Sequence, residues 1–414
     1  MEAAGRWKWA VVWLGAAVWA AGFPLLSTLD THRVWGRCAA AGYLLAACVT
    51  LWWPASRARG VASGCAVAGA VVVPLAVLLL TGGRQSEVDV IERSARLLLS
   101  TGTPYLPDPR RVGDYTPYLP GMALLGLPRV VLAPLGGVGA VLGDARVWCA
   151  AVFLGSLAAA RPGWARGRPW VLIASPVVAL PLCVSGVDLP LTGLCCLAVS
   201  WAARGRPGWA GVALAAASSL KWTAWPAVAV VVAFAGAVLG ARAAVRCAVV
   251  AGTGAVALVL PCVLVAPGRV VEQVLAFPAG RGAVATPAGS PLPGHLLAAL
   301  GPAGWYAAVA LVVCGAVLVA VSLVVRPPRT AVAAADRLAA GLSVAFLLAP
   351  AGRFGYLTLP VVLSVWVRRA GPGRRGTRGV AVAGRTASGL AAEAGDDQLL
   401  PHRGGPSGGL LADA

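Results

Sequence analysis

The sequence is short of charge and of most residue types that reactive sites are built from. Of its 414 residues only 12% are Asp, Glu, Lys or Arg, about half the usual share in a soluble domain. It has two lysines, Lys8 and Lys221, three histidines and fifteen carboxylates. No Cys-x-x-Cys occurs, no histidine cluster accompanies the ten cysteines, and all ten fall within or beside apolar runs. That spacing gives little support to a zinc site or a disulfide framework, and the thiols read as small hydrophobes. No fixed-period repeat is visible, nor an inverted pair of broken helices of the kind many transporters carry.

Apolar sequence is what the chain has in quantity. Hydrophobic residues make up 59% and the mean hydropathy is +0.80, which points to an all-α polytopic membrane protein. A helix needs roughly 20 apolar residues to cross a bilayer core. Runs near that length predict about twelve spans, at 7–28, 36–54, 60–81, 143–160, 169–185, 188–203, 207–220, 222–240, 247–266, 299–325, 331–349 and 354–368. The first is too long for a secretory signal and lacks a small-residue cleavage pattern, so a retained helix is expected. Residues 370–414 are rich in Gly, Arg, Ala and Pro without hydrophobic period and read as a disordered tail behind a membrane domain at 1–369.

The formal charge of +19 is spread in small groups between apolar runs, which does not suit a nucleic-acid-binding stripe. Arg57 and Arg59, Arg161, Arg166 and Arg168, Arg204 and Arg206, Arg242 and Arg246, Arg326 and Arg329, and Arg368, Arg369, Arg374 and Arg375 each follow an even-numbered span. The positive-inside rule then places both termini and these loops in the cytoplasm. This parity requires that 117–141 make no net crossing. Pro117, Pro120, Pro128 and Pro134 cut that segment into pieces too short to span, so outer-leaflet or re-entrant half-helices are expected.

Two loops then stand out on the opposite side, an acid-rich one at 82–142 and a Gly/Pro-rich one at 267–298. The first holds Glu87, Asp89, Glu92, Asp108 and Asp114, a third of all carboxylates in the chain. Outside it, only Asp30, Asp144, Asp188 and Glu272 share that side, so carboxylate chemistry would face outward. Val88, Ile91, Ala95 and Leu98 form a helical apolar face opposite Asp89, Glu92, Arg93 and Arg96. The bland account of the polar face is a solvated surface with Asp89–Arg93 and Glu92–Arg96 as i,i+4 pairs, each contributing ~0.3 to 0.5 kcal/mol.

Cations are the other scarce resource. Lys221 sits at the outer end of the seventh span beside Trp222 and Trp225, and Arg353 in the last outer turn beside Phe354 and Tyr356. Both are candidate phosphate ligands, with snorkelling anchors in an aromatic belt as the alternative. His295, after Ser-Pro-Leu-Pro-Gly, fits a helix start better than a catalyst. Asp188 before Leu189-Pro190 fits a helix N-cap.

Four stretches in order carry a resemblance: Asp89 shortly after a span, followed by "GTPY" (102–105) and "DYTPYLPG" (114–121), then "SSLKWTAWP" (218–226) and "LLAPAGRFGY" (347–356). Together they resemble the GT-C superfamily of polyprenyl-phosphate-sugar-dependent glycosyltransferases, and more narrowly glycosyltransferase family 87, the DUF2029 group, over roughly residues 60–368. The chain has Tyr115-Thr116-Pro117-Tyr118-Leu119-Pro120 where that family usually has Tyr-x-Tyr-Pro-Pro, and its acidic loop follows the third span instead of the first. The resemblance implies a GT-C-like fold and transfer of a sugar, most plausibly mannose, from a polyprenyl-phosphate donor to a lipid or glycan acceptor. It places that reaction at the outer face of a bacterial plasma membrane, with inversion and without a nucleotide-sugar site, and nothing in the sequence calls for a cofactor or metal. It casts Asp89 as general base with Glu87 as second choice, and Lys221, Arg353, Tyr105, Tyr115, Tyr356 and His295 as substrate contacts. A transporter or flippase of a lipid-linked or amphiphilic substrate, with Lys221 and Arg353 as counter-ions, is the rival reading.

Overall fold

The computed structural model describes residues 3–54, 56–160 and 169–370. The expected disordered tail, apart from its first residue, lies outside the described residues, as do Arg161, Arg166, Arg168, Arg374 and Arg375. Among the described residues the chain is helical, with one isolated bridge between Gly289 and Gly352 and no strand. Eight helical segments there are long and apolar enough to cross a membrane, so the all-α membrane class is as expected.

The first three are α1 (Ala3–Leu26), α2 (Asp30–Trp52) and α3 (Ala58–Thr81). Within α3 the turn at Ala68–Val72 widens to π geometry just before Pro74. Proline has no N–H to offer the carbonyl four residues back, and in a bilayer that orphan must find a partner inside the protein. Here the indole N–H of Trp35 on α2 donates to Ala70 O at 2.9 Å. Helices α2 and α3 can approach this closely because two glycines meet: a Cβ built on Gly42 would lie 2.6 Å from Gly69 Cα.

Helix α4 (Ser86–Thr101) carries Glu87 and Asp89 in its first turn, where they complement the helix dipole, and ends at Gly102 with φ 73. Val88, Ile91 and Ala95 are buried as the periodicity predicts. Glu92 is not on a solvated face; it is 3% exposed. The expected Asp89–Arg93 and Glu92–Arg96 pairs are replaced by tertiary partners. Asp89 pairs with Arg84 at 2.6 Å, and Glu92 with Arg84 at 3.0 Å and Arg129 at 3.5 Å. The Arg93 guanidinium donates instead to the backbone carbonyls of Gly113 and Asp114.

The segment Pro120–Leu142 qualifies as a span by length and composition, yet its backbone doubles back. It is broken into 3₁₀ turns and two short helices, α5 (Leu127–Val131) and α6 (Gly136–Leu142), around a left-handed Gly136. Its second half closes on itself: a Cβ on Gly143 would lie 2.8 Å from Arg129 Cα. Both ends also rest on α4, with Gly126 against Ile91 O and Ala145 N donating to Glu92 Oε1. The breaks at Pro128 and Pro134 are those the sequence predicts.

The remaining long elements are α7 (Ala145–Ala160), α8 (Pro176–Val184), α9 (Leu189–Ala203), α10 (Pro207–Leu220), α11 (Trp225–Leu239), α12 (Ala241–Val265), α13 (Pro302–Val325), α14 (Ala331–Leu348) and α15 (Thr358–Ala370). Eleven of the fifteen residues of α9 are buried, so this helix is the centre of the bundle and shows no lipid-facing stripe. Its N-terminal end presents Asp188. The connections after α1, α3, α4, α8, α10, α12 and α14 all contribute to one cavity. Arg6 donates to Leu51 O and Trp53 O, Arg204 to Ala159 O, and Arg368 pairs with Asp336, and none of these residues lines the cavity.

Candidate functional site

The cavity has a volume of about 1660 Å³. Its walls run down α13 and α14 as far as Val312 and Leu342, and Trp222 and Trp225 line it near the loops. Ionised side chains are confined to its loop end, where two carboxylate–cation pairs face into it.

Lys221 caps the C-terminus of α10 in an extended conformation, because the chain must turn through Trp222–Ala224 before Pro226 opens α11. Its Nζ donates to Asp188 Oδ1 at 2.8 Å and stands 4.4 Å from the centre of the Tyr356 ring and 5.9 Å from that of Tyr118. Burial by itself would lower the pKa of this ammonium. The Asp188 carboxylate and the Tyr356 hydroxyl outweigh that, and the group is held above the ordinary lysine range. Lys221 is therefore a cation with one anionic partner, at 8% exposure.

Arg353 leads into the short 3₁₀ turn Phe354–Leu357, and its guanidinium pairs with Glu87 in the first turn of α4. Burial works against the charge here too, and Glu87 beside it raises the pKa. The turn bearing Arg353 is stitched to the 267–298 loop. Gly352 N donates to Ala288 O at 2.9 Å, Ser290 N to Gly352 O at 3.0 Å, and Phe354 N to Ser290 Oγ at 3.3 Å. Tyr118 lies near both pairs, and burial, followed by the Glu87 and Asp188 charges, pushes its phenol well above the usual range. Tyr115 stacks on Phe277 with ring centres 4.1 Å apart and donates its hydroxyl to Glu272 at 3.3 Å, joining the 82–142 and 267–298 loops.

A second polar group on the lining carries no fixed charge. His32, in the first turn of α2, is within hydrogen-bond distance of Gln85 (Nε2 to Nε2, 2.8 Å) and Ser27 (Nδ1 to Oγ, 3.3 Å). Beneath the loop that carries Gln85, a buried cluster fixes the backbone. Arg146 is fully buried, bidentate on Asp144, and donates to the carbonyls of Gly83 and Cys183. Glu92 completes the cluster, with burial pushing its carboxyl above the usual range against the pull of Arg84 and Arg129.

Of the expected site residues, Glu87, Lys221, Arg353, Tyr115 and Tyr356 all line the cavity. Three others lie elsewhere. The Asp89 side chain is 55% exposed and held by Arg84, outside the lining. Tyr105 is 1% exposed and packs with Leu119, Val270 and Val274 while donating to Tyr118 O. His295 sits in the first turn of the short helix Pro293–Ala298, as its Pro-Gly context suggests, with Nδ1 3.1 Å from Pro350 O. Sequence reasoning missed Asp188, whose N-cap position is real but whose carboxylate makes no cap bond and serves Lys221 instead. The signal was present: it is one of few acids on that side. His32 and Gln85 carried no comparable signal.

Among the described residues no group of three or more His, Cys, Asp or Glu side chains is arranged to hold a metal. Comparison of the chain with protein-family models, with curated proteins and with solved structures yields no match.

Proposed function

We propose that this protein is a membrane glycosyltransferase of GT-C type that moves a sugar, mannose in the reading the resemblance favours, from a polyprenyl-phosphate donor to a lipid or glycan acceptor. In this reading about twelve spans place both termini in the cytoplasm and the cavity at the outer face of the bacterial plasma membrane. One observation carries the proposal: two cation–carboxylate pairs, Lys221–Asp188 and Arg353–Glu87, stand at the head of a large cavity whose apolar walls run down between helices. Such a chamber suits a molecule with an anionic head and a hydrocarbon tail.

The chemistry follows from the pairs. The donor phosphate competes with Asp188 and Glu87 for the two cations, and a charge-assisted hydrogen bond of this kind contributes ~1.5 to 3 kcal/mol. Glu87, relieved of Arg353, takes the proton of the acceptor hydroxyl as its oxygen attacks the anomeric carbon. The bond from that carbon to the phosphate oxygen breaks, and the lipid phosphate leaves with the electron pair, held by Lys221 and Arg353. A positioned base contributes roughly 10² to 10⁴-fold to such a step.

The test is transfer of label from synthetic polyprenyl-phosphate mannose by purified protein in lipid, with a membrane extract as acceptor. Mannosyl product that depends on Lys221 supports the enzyme. Movement of the donor between leaflets with no product supports the flippase reading and overturns this one.

A further inference from the structure

We infer that the Ser27, His32 and Gln85 group is the acceptor subsite, and that it takes a neutral, hydroxyl-rich headgroup such as a sugar or polyol. The inference rests on the glycosyltransferase reading, which leaves open where the acceptor sits and what it is.

The ionised residues on the lining are Asp30, Glu87 and Asp188 against Arg84, Lys221 and Arg353. Lys221 and Arg353 are the cations a donor phosphate would take. Arg84 is committed, at 2.6 Å to Asp89 and 3.0 Å to Glu92, so no third cation is left for an acidic acceptor. An acceptor carrying its own phosphate would meet Glu87 without a counter-ion, a like-charge juxtaposition that opposes binding.

What the lining offers beyond its charges is neutral hydrogen bonding. His32 and Gln85 present an imidazole and a carboxamide 2.8 Å apart, with the Ser27 hydroxyl behind them. Gln85 and Ser27 take up both imidazole nitrogens, so His32 holds the Gln85 carboxamide in place, and that amide keeps its oxygen and a second N–H, an acceptor and a donor to match a hydroxyl. Beside them are ring surfaces. Phe23 packs edge-on against His32 with centres 5.5 Å apart, Trp19 packs against Phe23 at 4.7 Å, and both rings line the cavity. Aromatic faces next to a few fixed neutral hydrogen-bonding groups suit a sugar ring, which has apolar C–H faces and a polar rim.

The group is also rigidly placed. Gln85 N donates to Val184 O at 3.1 Å, and the adjoining Gly83 carbonyl is held by buried Arg146. Glu87 follows Gln85 by two residues, pairs with Arg353 and lines the same cavity. It shares the cavity wall with the neutral group and the cations, so a base is at hand for an acceptor hydroxyl facing the donor.

The experiment measures equilibrium binding of radiolabelled n-hexyl mannoside and of farnesyl phosphate to the full chain in nanodiscs, with empty nanodiscs subtracted. Gln85→Leu and His32→Phe should weaken hexyl mannoside binding about tenfold, the loss of one or two neutral hydrogen bonds, and leave farnesyl phosphate within twofold. Lys221→Gln should do the reverse. Should a variant lose both ligands through misfolding, Gln85→Asn decides, because its shortened amide cannot reach both His32 and a ligand: hexyl mannoside binding equal to wild type overturns the inference. Tighter binding of n-hexyl phosphate than of hexyl mannoside in the wild type also overturns it. The parent reading fails separately, if the wild type binds hexyl mannoside at this group yet forms no mannosyl product.

Discussion

Lys221 and Asp188, 33 residues apart in sequence, meet at 2.8 Å between the C-terminal end of α10 and the N-terminal end of α9. Their side chains are 10% and 22% exposed. Removing one partner of a buried pair leaves the other charged and desolvated, at a cost of about 3 to 5 kcal/mol. Asp188→Asn and Lys221→Met should each lower the unfolding temperature in lipid, and the double variant should recover a substantial part of the loss. Thermal unfolding of the four proteins as a double-mutant cycle measures this. Strict additivity of the two losses would mean that the contact contributes no coupling.

Glu87 and Asp89 are neighbours on α4 with different surroundings. The Glu87 side chain is 16% exposed, faces the cavity and pairs with Arg353, whereas that of Asp89 is 55% exposed beside Arg84. Glu87→Gln should lower the turnover of labelled mannose transfer by at least ~10²-fold, and Asp89→Asn by at least tenfold less than that. A larger loss from Asp89→Asn than from Glu87→Gln would return the base to Asp89.

These two cases also mark what the sequence could and could not reveal. Helix positions were legible because apolar run length is a direct consequence of bilayer thickness. Arginines cluster in connections such as 204–206 and 326–329, and none of those residues lines the cavity. The ion pairs were not legible. Local rules pair Glu92 with Arg96 at i,i+4, but the fold brings Arg84 and Arg129 to it from two other segments, and tertiary partners in a buried site outweigh a surface pair. Asp188 looked like an N-cap because Leu189-Pro190 follows. It occupies that position, and its side chain is drawn off by a lysine that only the packing of α9 on α10 supplies.

The loop before Tyr115 should respond to acid. Asp114 accepts from Arg111 N at 2.9 Å and Arg110 N at 3.1 Å, and these N–H groups, Arg111 first, hold its carboxyl below the usual range. A group depressed in the folded state stabilises the fold above its unfolded value, near 3.9, and that contribution is lost as pH falls through the folded value. Amide exchange at Arg110 and Arg111 should therefore be protected above about pH 4 and accelerate, relative to intrinsic rates, below it. In Asp114→Asn the protection should be weaker throughout and show no acid step. An acid step that survives in Asp114→Asn would assign it to another carboxylate.

Sidedness is the premise of the whole proposal, and the geometry makes a sharp version of it. The loops lining the cavity include Ser86 and, beside Ser290, the exposed Gly289, while Arg206 lies in an alternate connection that does not contribute to the lining. Nine of the ten native cysteines are buried or half-buried and the tenth, Cys314, lies within α13, so background labelling of the native chain by a charged reagent should be low. Ser86→Cys and Gly289→Cys should react with an impermeant maleimide in intact cells, and Arg206→Cys only after permeabilisation. With no net crossing at 120–142, as the proposal has it, Ser86 and Gly289, on either side of that segment in sequence, should behave alike. Labelling of Ser86→Cys without Gly289→Cys would mean that the segment crosses the membrane. Labelling of Arg206→Cys alone would turn the protein over, put the cavity in the cytoplasm and remove the polyprenyl-phosphate donor from reach.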